Sequence, residues 1–419
     1  MSASSPADAF AALRHGEFRA LCGLSFLLTS AIQIQNVAVG WALYQITRDP
    51  LVLGLVGLAE AIPFITLALF GGHLADLRDK RGLMRQALWV MVAVSVVLLL
   101  LMRPDMHAVL GEAGWLTGIY GCLMILGFAR GLFSPAASAL RAFVVPRALY
   151  PNASAWSGTA WQSGAVLGPA LGGLLYAGFG LTATLAGVTV LMLAAIGMTW
   201  KLKPRPVAAS SQPAEPVLRS VAEGLRFVRQ TPVILYALSL DLFCVLFGGV
   251  VAILPMFAEE ILDTGPAGLG ILRAAPAVGA ILTILVCTRF TPTYHAWRNL
   301  LIACAGFGAA TLVFAVSTHF WLSAFALFAT GAFDSVSVVV RNTLLQVYTP
   351  DALRGRVQAV NSVFISASNE IGAFESGLAA KLMGAVPSVI LGGAATLAIT
   401  GEVWRRSKAL LAIRVSDAS

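Results

Sequence analysis

The sequence predicts an all-α membrane protein whose twelve transmembrane helices form two pseudo-symmetric six-helix bundles. Three observations carry that expectation. Only 11% of the 419 residues are charged and 58% are hydrophobic, whereas soluble domains carry roughly a quarter charged residues. The apolar residues gather into runs near the roughly 20 residues that a helix needs to cross a hydrocarbon core about 30 Å thick. The two halves of the chain also repeat one another. Inside a bilayer the backbone has no solvent partner, so each run must satisfy its own amides as helix.

Broken at charge clusters and at Gly and Pro, the runs give spans at 18–46, 51–75, 86–102, 115–138, 153–178, 181–200, 233–257, 267–289, 299–317, 320–341, 358–383 and 387–404. With the N-terminus inside, most of the 28 Lys and Arg residues fall in inner segments, while Arg48, Arg103 and Lys381 fall outside. The positive-inside rule then places both termini in the cytoplasm. The net charge of +8 follows from that topology. Basic residues scattered over seven inner segments form no single patch, so a nucleic-acid partner is not expected. The N-terminal stretch has no short apolar core followed by a cleavage site, so the first span is expected to drive insertion into the inner membrane. The polar stretch 201–232 is Pro- and Ser-rich and then amphipathic. It divides an N-terminal bundle, 1–200, from a C-terminal bundle, 233–419.

Shifting the chain by 204 residues aligns Gly127 with Gly331, Pro146 with Pro350, Gly168 with Gly372 and Gly173 with Gly377. Matched Gly and Pro mark shared backbone geometry. An offset of 213 aligns Gly57, Ala61 and Pro63 with Gly270, Ala274 and Pro276. Duplicated halves of this kind are typical of secondary transporters, which bind substrate between them.

Other chemistry finds little support. The five cysteines lie in apolar stretches with no close pair, the five histidines are scattered, and neither GxxxxGK[ST] nor GxSxG occurs. An enzyme, a metal site, a cofactor or direct ATP use is therefore not expected.

At this point the chain resembles the major facilitator superfamily over essentially its whole length. "GGHLADLRDKRG" resembles the superfamily's signature between spans 2 and 3, with Gly72, Leu74, Ala75 and Asp76 followed by Lys80 and Arg81. It departs in placing Leu77 after Asp76 and Arg78 one position later. The resemblance implies a conformational latch of Gly72, Asp76, Arg78, Asp79, Lys80 and Arg81 with the start of span 11, where Arg354 and Arg356 lie. Asp76 and Asp79 would meet the N-terminus of a helix in the other half, where negative charge is stabilised by about 0.3–1 kcal/mol. "GAVLGPALGG" resembles the span-5 motif of antiporters. Physically, Gly164, Gly168, Gly172 and Gly173 permit close helix approach and Pro169 kinks the helix. "RGLFSPAASAL", "EGLRFVRQTP" and "VNSVFISASNEIGAFESG" resemble the branch of siderophore and multidrug exporters.

Charges at membrane depth are expensive unless paired or hydrated, so each is a functional candidate. The candidates for proton coupling are Asp241, Asp334, Glu60 and Glu370. Asp241 ranks first because its flanks, "YALSL" and "LFCVLFGG", offer no cation, whereas the 204 offset sets Asp334 opposite Arg130. The 213 offset sets Glu60 opposite Arg273. Glu370 and Glu375, five residues apart, lie on different faces of one helix. In the resembled fold, Arg130 faces a central cavity that Gln33, Gln35, Asn36, Trp161, Gln162 and Arg273 could also line. The expected function is proton-coupled export of an amphipathic small molecule, a drug or siderophore, by a monomer. The alternatives are uptake of an organic solute by symport and a non-transporting membrane sensor.

Overall fold

The computed structural model describes residues 8–77, 79–203, 217–290, 292, 294–350 and 353–412. The described chain is helical throughout. In order it forms α1 (Gly16–Thr47), α2 (Pro50–Leu77), α3 (Lys80–Leu101), α4 (Pro104–Val144), α5 (Tyr150–Thr199), α6 (Val217–Gln230) and α7 (Pro232–Gly248). There follow α8 (Leu254–Met256), α9 (Gly265–Arg289), α10 (Ala296–Val316), α11 (Phe320–Tyr348), α12 (Arg354–Met383) and α13 (Ala385–Arg406).

Among the described residues, ten segments are long and apolar enough to cross a membrane. One of them, Arg147–Thr199, holds two crossings. Within it α5 leaves helical geometry at Gly180, where φ is 76°, inside the break expected between residues 178 and 181. Glycine takes positive φ without steric penalty, which is why the turn is built there. The remaining crossing is α12, whose Arg354, Arg356, Glu370, Glu375 and amide side chains make it the most polar.

Two span edges differ from expectation in ways that matter below. Span 10, expected to end at 341, continues as α11 to Tyr348. Span 4, expected to end at 138, continues as α4 to Val144. Span 7 also ends as regular helix at Gly248, with a 3-10 turn at Val250–Ile253 and a π-turn at Phe257–Ile261 beyond it.

Contacts divide the chain into two units, one of Met1–Ala38 with Ile62–Pro213 and the other of Val39–Ala61 with Ala214–Ser419. The α1–α2 turn thus groups with the later half of the chain, unlike a division at the linker 201–232. Packing explains the grouping. A Cβ at Gly54 would lie 3.1 Å from the Ala373 carbonyl, and one at Gly377 would lie 2.7 Å from the Pro50 carbonyl, so α2 and α12 approach where neither carries a side chain. At the same end Arg48 pairs with Glu259 at 2.7 Å, Asp49 pairs with Lys381, and the Tyr44 hydroxyl donates to Glu260. We expect Asp49→Lys to lower thermal stability modestly, by the ~0.2–1 kcal/mol typical of exposed pairs. Adding Lys381→Asp should restore it, as a melting curve of the purified protein would report.

In the first unit, α5 lies against α1 through its glycine row. A Cβ would lie 2.9 Å from Thr29 Cβ at Gly164, 2.7 Å from Gln33 Cβ at Gly168 and 3.0 Å from Ile34 Cα at Gly172. Pro169 and Gly173 are buried in the same stretch. Overpacking such a contact costs about 1–3 kcal/mol. Gly168→Leu should therefore unfold at markedly lower temperature, while Gly187→Ala, where nothing lies within 4 Å, should leave the midpoint unchanged or slightly raised.

The residues expected in the latch take several positions. Asp79 caps α3, accepting from the amides of Arg81 at 3.3 Å and Gly82 at 2.9 Å. The helix N-terminus that it caps is that of its own helix, where an N-cap carboxylate satisfies amides that have no partner within the helix. Lys80 is buried with its ammonium 5.6 Å from the Phe143 ring centroid, and Arg81 is half-buried. In the second unit Arg356 pairs with Glu223 of α6, and Arg354 donates to the Gln346 carbonyl at 3.3 Å. Arg78 and the side chains at Gly72 and Asp76 lie outside the described residues.

Candidate functional site

The second unit encloses a polar cavity of about 200 Å³ lined by α7, α11 and α12. Asp241, nine residues into α7, is 5% exposed and pairs with Arg341 of α11, which is 1% exposed. The sequence reading gave Asp241 no cation. Arg341 is that cation, and it was counted there among the cytoplasmic charges at the end of span 10. Because α11 runs two further turns to Tyr348, Arg341 is carried into the packed interior. A guanidinium and a carboxylate so buried tolerate each other's presence far better than either tolerates isolation.

Asp334 lines the same cavity. It precedes Arg341 by seven residues, which puts both on one face of α11 about 10 Å apart along the axis. The facing wall is α12, where Gln358, Asn361 and Asn369 fall at helical spacing. Asn361 is 1% exposed, and its side-chain carbonyl oxygen and the Arg341 Nε atom have no hydrogen-bond partner among the described residues. Two carboxylates, one guanidinium and several amides thus share a small enclosed volume.

The first unit has its own cavity, about 570 Å³, lined by α1, α4 and α5 and by Phe64 of α2. Arg130 sits here with its guanidinium 5.4 Å from the Phe64 ring centroid. The structure thus places Arg130 and Asp334, which the 204 offset set opposite each other, in cavities of different units. Trp161, 55% exposed, lines the Arg130 cavity together with Arg141. Arg141 is a second cation that the sequence reading left among the cytoplasmic charges.

The other candidates are dispersed. On α1 Gln33 and Asn36 are half-buried, and Gln35 is 1% exposed with both amide atoms unpartnered. Gln162 is half-buried on α5. In the second unit Glu60 is buried on α2, Arg273 is half-buried on α9, and a Glu370 oxygen lies 3.2 Å from the position of a Cβ at Gly57. Glu370 therefore faces α2.

A family model described as transmembrane secretion effector matches residues 7–415. The chain belongs to this family. It is a multi-pass membrane transporter of the major facilitator type. Among its curated relatives, the enterobactin exporter EntS of Shigella flexneri is 26% identical over 392 residues, covering 92% of this chain and 90% of that one. EntS of Escherichia coli O1:K1 / APEC matches at the same identity and coverage. Solved structures agree on the fold. The nucleoside transporter NupG superposes with a TM-score of 0.70 at 13% identity, covering 95% of this chain and 100% of that one. The xylose transporter XylE of E. coli, in an inward-open conformation, gives 0.68 at 15% identity, covering 94% and 96%.

Proposed function

We propose that this chain is a proton-driven exporter of an amphipathic small molecule, working by alternating access as a monomer in the inner membrane, with both termini in the cytoplasm. A proton gradient drives it, and it uses no cofactor and no nucleic-acid partner. The observation that best supports the reading is the second unit's cavity, where Asp334 stands near an Asp241–Arg341 pair. Arg341 reverses the order of the coupling candidates. Asp241 already has a buried cation to hold it ionised, so Asp334 becomes the carboxylate that takes up and gives up the proton, and Asp241 becomes the fixed partner. When Asp334 is ionised it competes with Asp241 for Arg341; when it is protonated the Asp241–Arg341 pair closes. Each protonation state favours one arrangement of side chains, which gives the proton a differential affinity for two states of the cavity. The two expected second-rank carboxylates, Glu60 and Glu370, stay outside this role.

Outward direction is supported by the relatives named as enterobactin exporters, which make enterobactin the first substrate to try. The test is flux of labelled enterobactin into inside-out membrane vesicles. Accumulation that requires an acidic lumen and collapses with a protonophore is expected. Accumulation only with the opposite gradient would make the protein an uptake symporter.

A further inference from the structure

We propose that the first unit's cavity is the substrate site of this transporter and that it selects an anion carrying a flat aromatic body. This rests on the transport reading above and adds the chemical class of the cargo.

The argument starts from helical spacing. On α4 the lining residues Arg130, Ser134, Ala137 and Arg141 recur at steps of four, three and four, which keeps them on one face. Eleven residues separate the two arginines, so their Cα atoms stand about 16 Å apart along that face. On α5 Ser154, Ser157 and Trp161 repeat at steps of three and four. The α1 wall adds Ser25 and Thr29 among leucines and an isoleucine. Among the described residues no Asp or Glu lines this cavity, whereas Asp241 and Asp334 line that of the second unit together with Arg341. The first unit's cavity is therefore purely basic, while that of the second carries both signs.

A basic cavity raises the local concentration of anions, and the hydrogen bonds they accept from a guanidinium are charge-assisted. The Arg130 guanidinium lies 5.4 Å from the Phe64 ring centroid, and a guanidinium is a planar fork of donors, the geometry that meets a carboxylate or phenolate edge-on. Trp161, more than half exposed, presents a ring on which a flat apolar body can stack. The volume of about 570 Å³ lies within the roughly 300–1,000 Å³ of sites for drug-sized ligands. Substrate and proton are then handled by different units, so an anion need not compete with Asp334 for the same groups.

The test is binding to the purified full-length protein in nanodiscs, by isothermal titration against protein-free discs, with three probes sharing one ring system: naphthoate, its neutral amide and naphthylmethylammonium. Wild type should bind naphthoate about tenfold more tightly than the amide, with the ammonium weakest. Arg130→Gln should remove that preference while leaving amide binding unchanged, and Arg130→Lys should retain most of it. Arg141→Gln tests the same claim at the other end of the face and serves if Arg130→Gln does not fold. Asp334→Asn should leave the ranking unchanged. Equal binding of the three probes, tighter binding of the ammonium, or a full naphthoate preference in both glutamine variants would overturn the proposal. Such a failure would leave proton-driven flux in vesicles intact, whereas absence of that flux with the naphthoate ranking preserved would reject the export reading alone.

Discussion

Arg341→Met should fail to accumulate as folded protein, and adding Asp241→Leu in the same chain should bring it back. With its partner gone, Asp241 is left as an uncompensated charge at 5% exposure, and breaking a buried pair in this way costs about 3–5 kcal/mol. That is a large share of the roughly 5–15 kcal/mol by which a folded domain exceeds its unfolded state. Removing both charges replaces the pair by apolar side chains in a setting already rich in them: Leu240, Cys244 and Leu344 pack nearby in a core cluster that also holds Trp297. Size-exclusion profiles and thermal melts of the two single variants and the double variant read the effect directly. The double variant should be folded and should not transport against a gradient, since the element that responds to the proton is gone. A single variant as stable as wild type would mean that the pair is not a stabilising unit.

The second large effect concerns Asp334. Asp334→Asn should abolish uphill transport while preserving downhill exchange of substrate, because the amide keeps the acid's shape, one accepting oxygen and, like the protonated acid, a donor on the other side, but cannot ionise. Asp241→Asn, by contrast, should chiefly lower stability, since it leaves Arg341 charged and without its carboxylate. The two aspartates face one cavity yet should give opposite phenotypes, folded but uncoupled against poorly folded. Loss of downhill exchange in Asp334→Asn would show that Asp334 serves substrate binding or structure and not coupling.

Much of the architecture was legible because the bilayer imposes it. Run length located the crossings, with some ends displaced by six to nine residues, and the break between spans 5 and 6 was found because Gly180 punctuates the apolar run. The close approach of α5 through Gly164, Gly168 and Gly172 was foreseeable from four-residue spacing, though not that α1 is the helix it meets. The cavities were less legible for one recurring reason. Arg341 and Arg141 lie near the inner ends of apolar runs, where the positive-inside rule reads every cation as a topology marker; the continuation of α11 to Tyr348 carries Arg341 into the packed interior, while Arg141 lines its cavity as an exposed residue. "VVVRNTLLQVY" did hold the signal, because apolar residues resume after the arginine. The grouping of residues 39–61 with the later half depends on Gly54 meeting α12 and on Asp49 meeting Lys381, contacts between segments more than 300 residues apart that no local pattern announces. The 204 offset pairs Arg130 with Asp334, and each lines a cavity within its own unit.

The most direct test of the account is proton movement itself, measured with a pH-sensitive dye trapped in the lumen of proteoliposomes while an enterobactin gradient, without any imposed pH gradient, drives substrate across. In wild type the account predicts proton flow opposite to substrate, beginning on addition of enterobactin, and no such flow in Asp334→Asn although enterobactin still equilibrates. Enterobactin flux in wild type without any proton movement, or proton flow in Asp334→Asn at the wild-type rate, would contradict it.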